Sequence, residues 1–172
     1  QQKTQQGDKK MEFWDIYDEN KKPTGRTMKR NDWCLKDGEY HLTVLGVVGR
    51  PDGTFLITKR VMTKAWAPGW WEVSGGAAQA GEESCEAVLR EVKEETGLTL
   101  TSYKFRGLVT FINSECESEL MCVFTADGYT GELIECNEGE LCWVDKKIVP
   151  ELPTWEGDKA FLNLLLSEEK RF

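Results

Sequence analysis

The stretch that decides the fold runs Gly76-Ala-Ala-Gln-Ala-Gly-Glu-Glu-Ser-Cys-Glu-Ala-Val-Leu-Arg-Glu-Val-Lys-Glu-Glu-Thr-Gly-Leu98. At about 100° per residue, a helix places Glu91, Glu94 and Glu95 on one stripe. The three carboxylates border the adjacent apolar stripe, which must face a core. The sequence therefore predicts a helix over about 82–96 whose apolar face consists of Cys85, Val88, Leu89 and Val92.

This cluster of acids is suited to binding a divalent cation. Neighbouring carboxylates repel and raise one another's pKa unless a cation lies between them, and an all-oxygen set suits Mg²⁺ or Mn²⁺. Such an ion bridges phosphate oxygens and lowers the pKa of a bound water, which can then attack phosphorus. Arg90 can orient a glutamate by bidentate pairing, and Gly75 and Gly76 let backbone carbonyls approach an ion. A merely solvated acidic face is the alternative, but it does not explain acids that border the apolar stripe and are bracketed by glycines.

Charge and composition exclude several classes of function. The 172 residues carry a formal net charge of −8, whereas a protein that binds nucleic acid through its phosphates needs a basic face. No apolar run approaches the roughly 20 residues needed to span a bilayer. Six cysteines without a C-x-x-C pair indicate reduced thiols and favour a cytoplasmic location. We expect a small-molecule substrate, no nucleic acid polymer or membrane as partner, and leave monomer and homodimer open.

The rest of the sequence predicts one α/β domain over residues 11–172. The polar segment 1–10 is interpreted as a disordered lead-in or an expression remnant. Gly97 ends the first helix, and an amphipathic pattern predicts a second helix over about 155–167. Apolar and alternating runs predict strands at about 12–17, 26–30, 41–49, 54–60, 70–74, 103–112, 119–125 and 140–145.

The quoted stretch resembles the Nudix box, G-x5-E-x7-R-E-U-x-E-E-x-G-U, in which U is an aliphatic residue. The resemblance implies an α/β/α sandwich with a mixed sheet between helices. It also implies a Mg²⁺- or Mn²⁺-dependent hydrolase that cleaves a nucleoside diphosphate linked to a group X. The match includes every fixed position, namely Gly76, Glu82, Arg90, Glu91, Val92, Glu94, Glu95, Gly97 and Leu98.

The same resemblance assigns roles to single residues. It implies that Glu94 and Glu95 are the core metal ligands, and that the Gly75 carbonyl is a third. Glu91 is implied to be a ligand or the base, and Arg90 to orient it. Glu82 is implied to be an outer support.

Residues outside the box are expected to set selectivity. By resemblance, Arg60 at the end of its strand contacts substrate phosphate. Aromatic side chains can stack on a nucleobase. Trp66 near the entrance and Trp155, which opens the last helix beside Asp158, are the candidates for this role.

One more acid is expected from a later loop, as in many members of the family. We favour Glu138 as this metal- and substrate-binding residue, because it precedes a glycine just before the strand that contains Trp143. Glu140 and Glu135 are the alternatives.

The N-terminal part contains Trp14-Asp-Ile-Tyr-Asp-Glu19, Thr24-Gly25 and Glu39-Tyr-His41. By these segments it resembles the isopentenyl diphosphate isomerase branch of the same fold, which raises a competing function. That isomerase needs a catalytic cysteine and a following histidine, but the corresponding segment here is Glu72-Val-Ser-Gly-Gly-Ala-Ala78. The only histidine, His41, opens an apolar strand, where a hydrogen-bonded structural role is expected. An isomerisation by protonation and deprotonation therefore lacks an obvious acid.

The C-terminal third contains Gly131-Glu-Leu-Ile-Glu135, Glu138-Gly-Glu-Leu-Cys-Trp143 and Leu152-Pro-Thr-Trp-Glu-Gly-Asp-Lys159. By these segments it resembles bacterial members that remove unwanted nucleoside triphosphates. This favours nucleoside triphosphates or oxidised nucleotides as substrates, with CoA or sugar nucleotides behind them. A second hypothesis is a non-catalytic module that senses nucleotides and keeps the fold. The intact acid set argues against that hypothesis.

Overall fold

Two helices lie on opposite faces of a central sheet in the computed structural model, which describes residues 11–65, 67–112, 114, 116–137, 139–167 and 171–172. The predicted segment 1–10 lies outside the described residues. No helix in the described part of the chain has the length and apolar character required to cross a lipid bilayer. The elements in chain order are β1 (Phe13–Tyr17), β2 (Pro23–Lys29), β3 (Tyr40–Val48), β4 (Thr54–Arg60), β5 (Trp71–Glu72), β6 (Ser74–Ala77), α1 (Ser84–Thr96), β7 (Thr99–Phe111), β8 (Glu119–Thr130), β9 (Gly139–Asp145), a 3₁₀ helix (Val149–Glu151) and α2 (Glu156–Leu166).

The larger sheet has six strands and is mixed. Its order is β2-β1-β3-β8-β7, and β6 also pairs with β3. The central pair β3 and β8 is parallel, whereas the other pairs are antiparallel. A smaller antiparallel sheet has the order β5-β4-β9.

Alternation along β3 divides the core between the two helices, because successive side chains of a strand point to opposite faces. Val44 and Val48 belong to one apolar cluster together with Val88 and Val92 of α1. Val47 belongs to a second cluster with Phe161, Leu162 and Leu165 of α2. The predicted α/β/α sandwich is thereby confirmed.

A glycine in β3 lets α1 approach the sheet closely. A Cβ atom at Gly46 would lie 2.6 Å from Cγ2 of Val92 and 3.0 Å from Cγ2 of Val88. Both valines are fully buried, so neither can move aside without disturbing the core. This contact fixes the distance between α1 and the sheet. It thereby also fixes how far the glutamates of α1 lie from the sheet.

One predicted strand was wrong. Residues 70–74 were expected to form a single strand, but the chain divides there into β5, where Glu72 pairs with Thr58, and β6, where Gly75 pairs with Leu45. The two short strands belong to different sheets. The pattern of apolar and polar residues indicates whether a segment is extended, but it does not show which strand the segment pairs with. It therefore could not predict that the chain crosses from one sheet to the other at Val73.

The first helix begins later than predicted because its start is capped. Glu83 is the N-cap residue, and it exchanges hydrogen bonds with Glu86 in a capping box. Gly97 ends the helix in a left-handed conformation, with φ of 83°, as predicted. β7 begins four residues earlier than the predicted strand at 103, because it continues to pair with β8 as far as Thr99.

Candidate active site

Glu91 of α1 rests against the backbone of β6. A Cβ atom at Gly76 would lie 2.6 Å from the carboxylate carbon of Glu91. Any side chain at position 76 would therefore displace this carboxylate. The glycine that the box requires here makes room for the acid.

Arg90 ties the box together through one guanidinium group. Its Nε and Nη2 atoms donate to the two carboxylate oxygens of Glu82, at 2.8 and 3.0 Å. Nη1 donates to Glu91 at 2.9 Å and to Glu94 at 3.3 Å, and Nη2 also donates to the carbonyl of Ala77 at 3.2 Å. The bidentate pair with Glu82 holds the fork in place, so that the remaining nitrogen orients Glu91.

The pKa values of these groups follow from the network. Burial opposes ionisation of Glu82, but hydrogen bonds from Arg90 and the Gln79 N–H outweigh it and lower the pKa of Glu82. Burial raises the pKa of Glu91 against the opposing effect of Arg90, and Glu94 and Glu12 raise it further. A buried carboxylate with a raised pKa in a cleft is typical of a general base.

Glu95 contacts the β6 backbone at Gly75, one residue before the glycine against which Glu91 packs. The Gly75 N–H donates to its carboxylate at 3.3 Å. The N–H and C=O of one residue point to the same side of a strand. Because this N–H is directed to Glu95 and not to Leu45 of β3, the carbonyl of Gly75 also faces the side of Glu95.

Glu94 is oriented differently from the other two acids. Its side chain is 62% exposed and its carboxylate lies with Arg90. Among the residues that the structure describes, no three His, Cys, Asp or Glu side chains are assembled closely enough to hold a metal ion as they stand. The carboxylate of Glu94 thus lies with Arg90, whereas those of Glu91 and Glu95 lie against the backbone of β6.

A cleft of about 990 Å³ connects this region with α2. Its floor is the face of the larger sheet that carries alternate residues of three strands. These are His41, Thr43 and Leu45 of β3, Glu119 and Met121 of β8, and Val109 and Phe111 of β7. Six of the predicted site residues line the same cleft, namely Arg60, Gly75, Glu91, Glu95, Trp155 and Asp158.

Two other predicted site residues, Trp66 and Glu138, lie outside the described residues. Glu135 and Glu140, the alternatives to Glu138, are both exposed, and neither lines the cleft.

Trp155 and Asp158 form the α2 end of the cleft. The ring of Trp155 lies against that of Trp70, with centroids 4.7 Å apart. Burial, together with the nearby carboxylates of Glu72 and Glu119, raises the pKa of Asp158 to about 7. Neither glutamate was predicted from the sequence, although an acid at the end of a largely apolar segment is a signal that could have found both.

Asp158 is expected to make stability depend on pH. Its pKa of about 7 lies above the ordinary 3.8, so its contribution is present at low pH and is lost as the pH rises towards 7. At 1.36 kcal/mol per pKa unit the loss is on the order of 2 to 4 kcal/mol. The variant Asp158→Asn lacks this loss. Denaturation of both proteins from pH 4 to 8 measures it, and a constant difference in unfolding free energy would contradict the shift.

Arg60 lies in the cleft, as predicted, but is engaged with the protein. Its Nη1 atom lies 3.2 and 3.4 Å from the two carboxylate oxygens of Glu72, and the side chain is only 13% exposed. The guanidinium group therefore places a positive charge at the cleft, and Glu72 of β5 holds it in position. Its predicted contact with substrate phosphate stays a prediction.

His41 is a packing residue, although the expected hydrogen bond is absent among the described residues. Its ring stacks on Trp14 with centroids 4.2 Å apart, and its Nδ1 atom has no partner there. Nε2 lies 3.8 Å from the carboxylate of Glu119. Burial lowers the pKa of His41 to about 4, so the ring is neutral at pH 7. Stacking between strands β1 and β3 takes the place of the expected hydrogen bond.

Comparison with known proteins agrees with this geometry. The NUDIX domain family matches residues 39–165. An oxidized purine nucleoside triphosphate hydrolase from Danio rerio is 35% identical over 133 residues, which cover 76% of this chain and 82% of the relative. The crystal structure of a MutT protein from Bacillus halodurans superposes with a TM-score of 0.65 at 27% identity, and covers 76% of this chain and 84% of that one.

Other relatives match a smaller share of their own length. The Nudix hydrolase YvcI from Bacillus subtilis is 37% identical over 103 residues, which cover 57% of this chain and 65% of the relative. The chain spans 53% of two further bacterial relatives. An isopentenyl-diphosphate Delta-isomerase from Escherichia coli is 31% identical over 132 residues, which cover 72% of this chain and 71% of the relative.

Proposed function

Because the chain belongs to the Nudix hydrolase family, we propose that it hydrolyses the diphosphate linkage of a nucleoside diphosphate joined to a group X. The observation that carries the proposal is the single cleft shared by Glu91, Glu95 and the Gly75 backbone on one side and by Trp155 and Asp158 on the other. Acids beside glycine backbone suit a diphosphate held with a cation, and aromatic and acidic groups suit a nucleobase.

The donor set fits a divalent cation. Glu91, Glu95 and the Gly75 carbonyl offer only oxygen atoms, and Gly76 leaves room for the carboxylate of Glu91. We propose these groups, with Glu94 and Glu138, as the residues that would hold it. A bound Mg²⁺ or Mn²⁺ would neutralise phosphate charge and make a water more acidic.

The protein's own residues supply the remaining chemistry. Glu91, with its raised pKa, accepts a proton from the attacking water, and Arg90 holds its carboxylate in position. Arg60 lies in the same cleft and contributes positive charge towards the phosphates. Trp155 and Asp158 bind the base, with Asp158 able to donate or accept a hydrogen bond because its pKa is about 7.

Nucleoside triphosphates and oxidised nucleotides are the leading substrates, with CoA and sugar nucleotides behind them. Similarity to a hydrolase of oxidized purine nucleoside triphosphates supports this order. A reducing, cytoplasmic location is proposed on the basis of the cysteines, all six of which are free thiols.

Purified protein is expected to release nucleoside monophosphate and pyrophosphate from at least one nucleoside triphosphate when Mg²⁺ or Mn²⁺ is present. Removing the metal with EDTA is expected to abolish turnover, and added Mg²⁺ to restore it, because the acids alone repel the phosphates. Chromatography of the products over a nucleotide panel measures this. Turnover that persists in EDTA would contradict the metal requirement.

The two alternatives give different results in the same assay. A sensing module would be stabilised by nucleotides without releasing product over hours. An isomerase would instead isomerise isopentenyl diphosphate without hydrolysing it. Isopentenyl diphosphate therefore belongs in the substrate panel, because the chain is similar to the Escherichia coli isomerase. The isomerase needs a catalytic cysteine in the segment 72–78, but this segment has no cysteine. Its one hydroxyl side chain, Ser74 of β6, is buried.

A further inference from the structure

The hairpin formed by β1 and β2 contributes to the cleft although it lies outside the matched family domain, which begins at residue 39. Glu12, Trp14 and Arg30 from the hairpin and its ends all line the cleft. The strands therefore do more than extend the sheet. They form a wall that the family domain alone does not supply.

This wall lies at the end of the cleft opposite Trp155 and Asp158. The strand order places β1 beside β3, followed by β8 and then β7, whose Phe111 adjoins the α2 end. Neighbouring strands lie about 4.8 Å apart, so the three steps from Trp14 to Phe111 span roughly 14 Å. A nucleotide whose base lies at α2 and whose diphosphate lies beside Gly75 thus directs its group X towards the hairpin.

Charge in the cleft makes one hairpin residue conspicuous. Among the described residues that line it, seven are acids and two are arginines. The side chain of Arg60 is 13% exposed and bonded to Glu72, whereas that of Arg30 is 60% exposed. Arg30 is therefore the accessible cation of the described lining.

Arg30 is also held in place. Its backbone N–H donates to the carbonyl of Glu12 at 2.9 Å, and its Nη1 atom donates to the Glu12 carboxylate at 3.1 Å. The same carboxylate accepts a bond of 2.9 Å from the indole Nε1 of Trp14, which stacks on His41. A buried aromatic pair thus anchors the acid that positions the cation, which limits the entropy lost when an anion binds.

We propose that Arg30 binds the terminal phosphate of X and thereby favours nucleoside triphosphates over nucleoside diphosphates joined to an uncharged group. This inference rests on the proposed function for the orientation of the nucleotide. The guanidinium fork suits a phosphate, with which it forms charge-assisted hydrogen bonds. Because the residue is exposed, the effect is expected at the lower end for such bonds, about 10-fold in affinity.

The test compares Arg30→Ala with Arg30→Lys and with a matched control, Arg26→Ala. Arg26 lies on the same hairpin, is half-exposed and pairs with Glu39, but does not line the cleft. We expect Arg30→Ala to raise KM for dGTP about 10-fold, with kcat and the KM for ADP-ribose changed less than about 2-fold. Arg30→Lys should recover part of the loss, and Arg26→Ala should leave both substrates unaffected. Equal losses on dGTP and ADP-ribose, or none, would overturn the proposal.

Calorimetry with inorganic tripolyphosphate and Mg²⁺ separates this inference from the proposed function, since it needs no turnover. The Kd of tripolyphosphate is expected to rise about 10-fold in Arg30→Ala and to stay the same in Arg26→Ala. If no nucleotide is hydrolysed but this difference is found, the hydrolase proposal fails and the anion subsite stands. If nucleotides are hydrolysed and the two variants bind tripolyphosphate equally, the subsite fails and the hydrolase proposal stands.

Discussion

Replacing Glu95 by Gln is expected to lower kcat for the substrate about 10³-fold, while the protein stays folded. The substitution removes a negative charge beside the Gly75 backbone and keeps the size of the side chain. Because Glu95 is proposed to hold the divalent cation, the loss of charge is expected to weaken cation binding. Initial rates at saturating nucleotide, repeated over a range of Mg²⁺ concentrations, measure the effect.

The companion variant Glu91→Gln separates cation binding from proton transfer. If Glu91 is the base, excess Mg²⁺ should not restore this variant, whereas it should partly restore Glu95→Gln. Glu151→Gln is the control, because that acid is exposed on the 3₁₀ helix and does not line the cleft. Wild-type rates in both variants of α1 would refute the assigned mechanism.

Arg90→Ala is expected to impair both activity and stability. The side chain donates to Glu82, Glu91 and the carbonyl of Ala77, so its loss leaves two partly buried carboxylates without their cation. We expect a loss of about 2 kcal/mol in unfolding free energy, less than for a fully buried pair because solvent reaches the arginine. Displacement of Glu91 by about 1 Å should lower kcat about 10²-fold.

Arg90→Lys tests whether the fork or the charge matters. Lysine restores the charge but cannot bind Glu82 through two parallel bonds. We expect it to recover stability and little of the activity, measured by urea denaturation and by initial rates. Full recovery of kcat would show that orientation through the fork is unnecessary. Arg26→Ala, an exposed ion-pair residue, is expected to change neither quantity by much.

Sequence pattern predicted α1 well because its information is local. Helical spacing alone puts Val88 and Val92 on the buried face, and both are fully buried. Cys85, predicted on the same face, is exposed in the first turn of the helix, so that part of the prediction was wrong. The same spacing put the three glutamates together, but it could not separate Glu94, whose carboxylate lies with Arg90, from the two that line the cleft. That difference depends on where β6 runs, and β6 is positioned by its pairing with β3.

The groups that perturb Asp158 could not be predicted from spacing. Glu72 and Glu119 lie far from it in sequence, and they come near it only because the end of β5 and the start of β8 both line the cleft beside α2. The contribution of the hairpin was missed for the same reason. Arg30 belongs to a polar, exposed segment, and nothing in its neighbourhood along the chain indicates that it lines a cleft.

The crossing at Val73 has a mechanical consequence. Glu72, which holds Arg60, and Gly75, which contacts Glu95, are separated by two residues, so their Cα atoms lie at most about 11 Å apart. This short covalent connection joins the two sheets at Val73, which lines the cleft. The sheets therefore cannot separate around a large ligand unless β5 or β6 gives up its pairing. The distance between Glu72, which holds Arg60, and Gly75 at the box is therefore fixed. It limits the length of the part of a nucleotide that can lie between them.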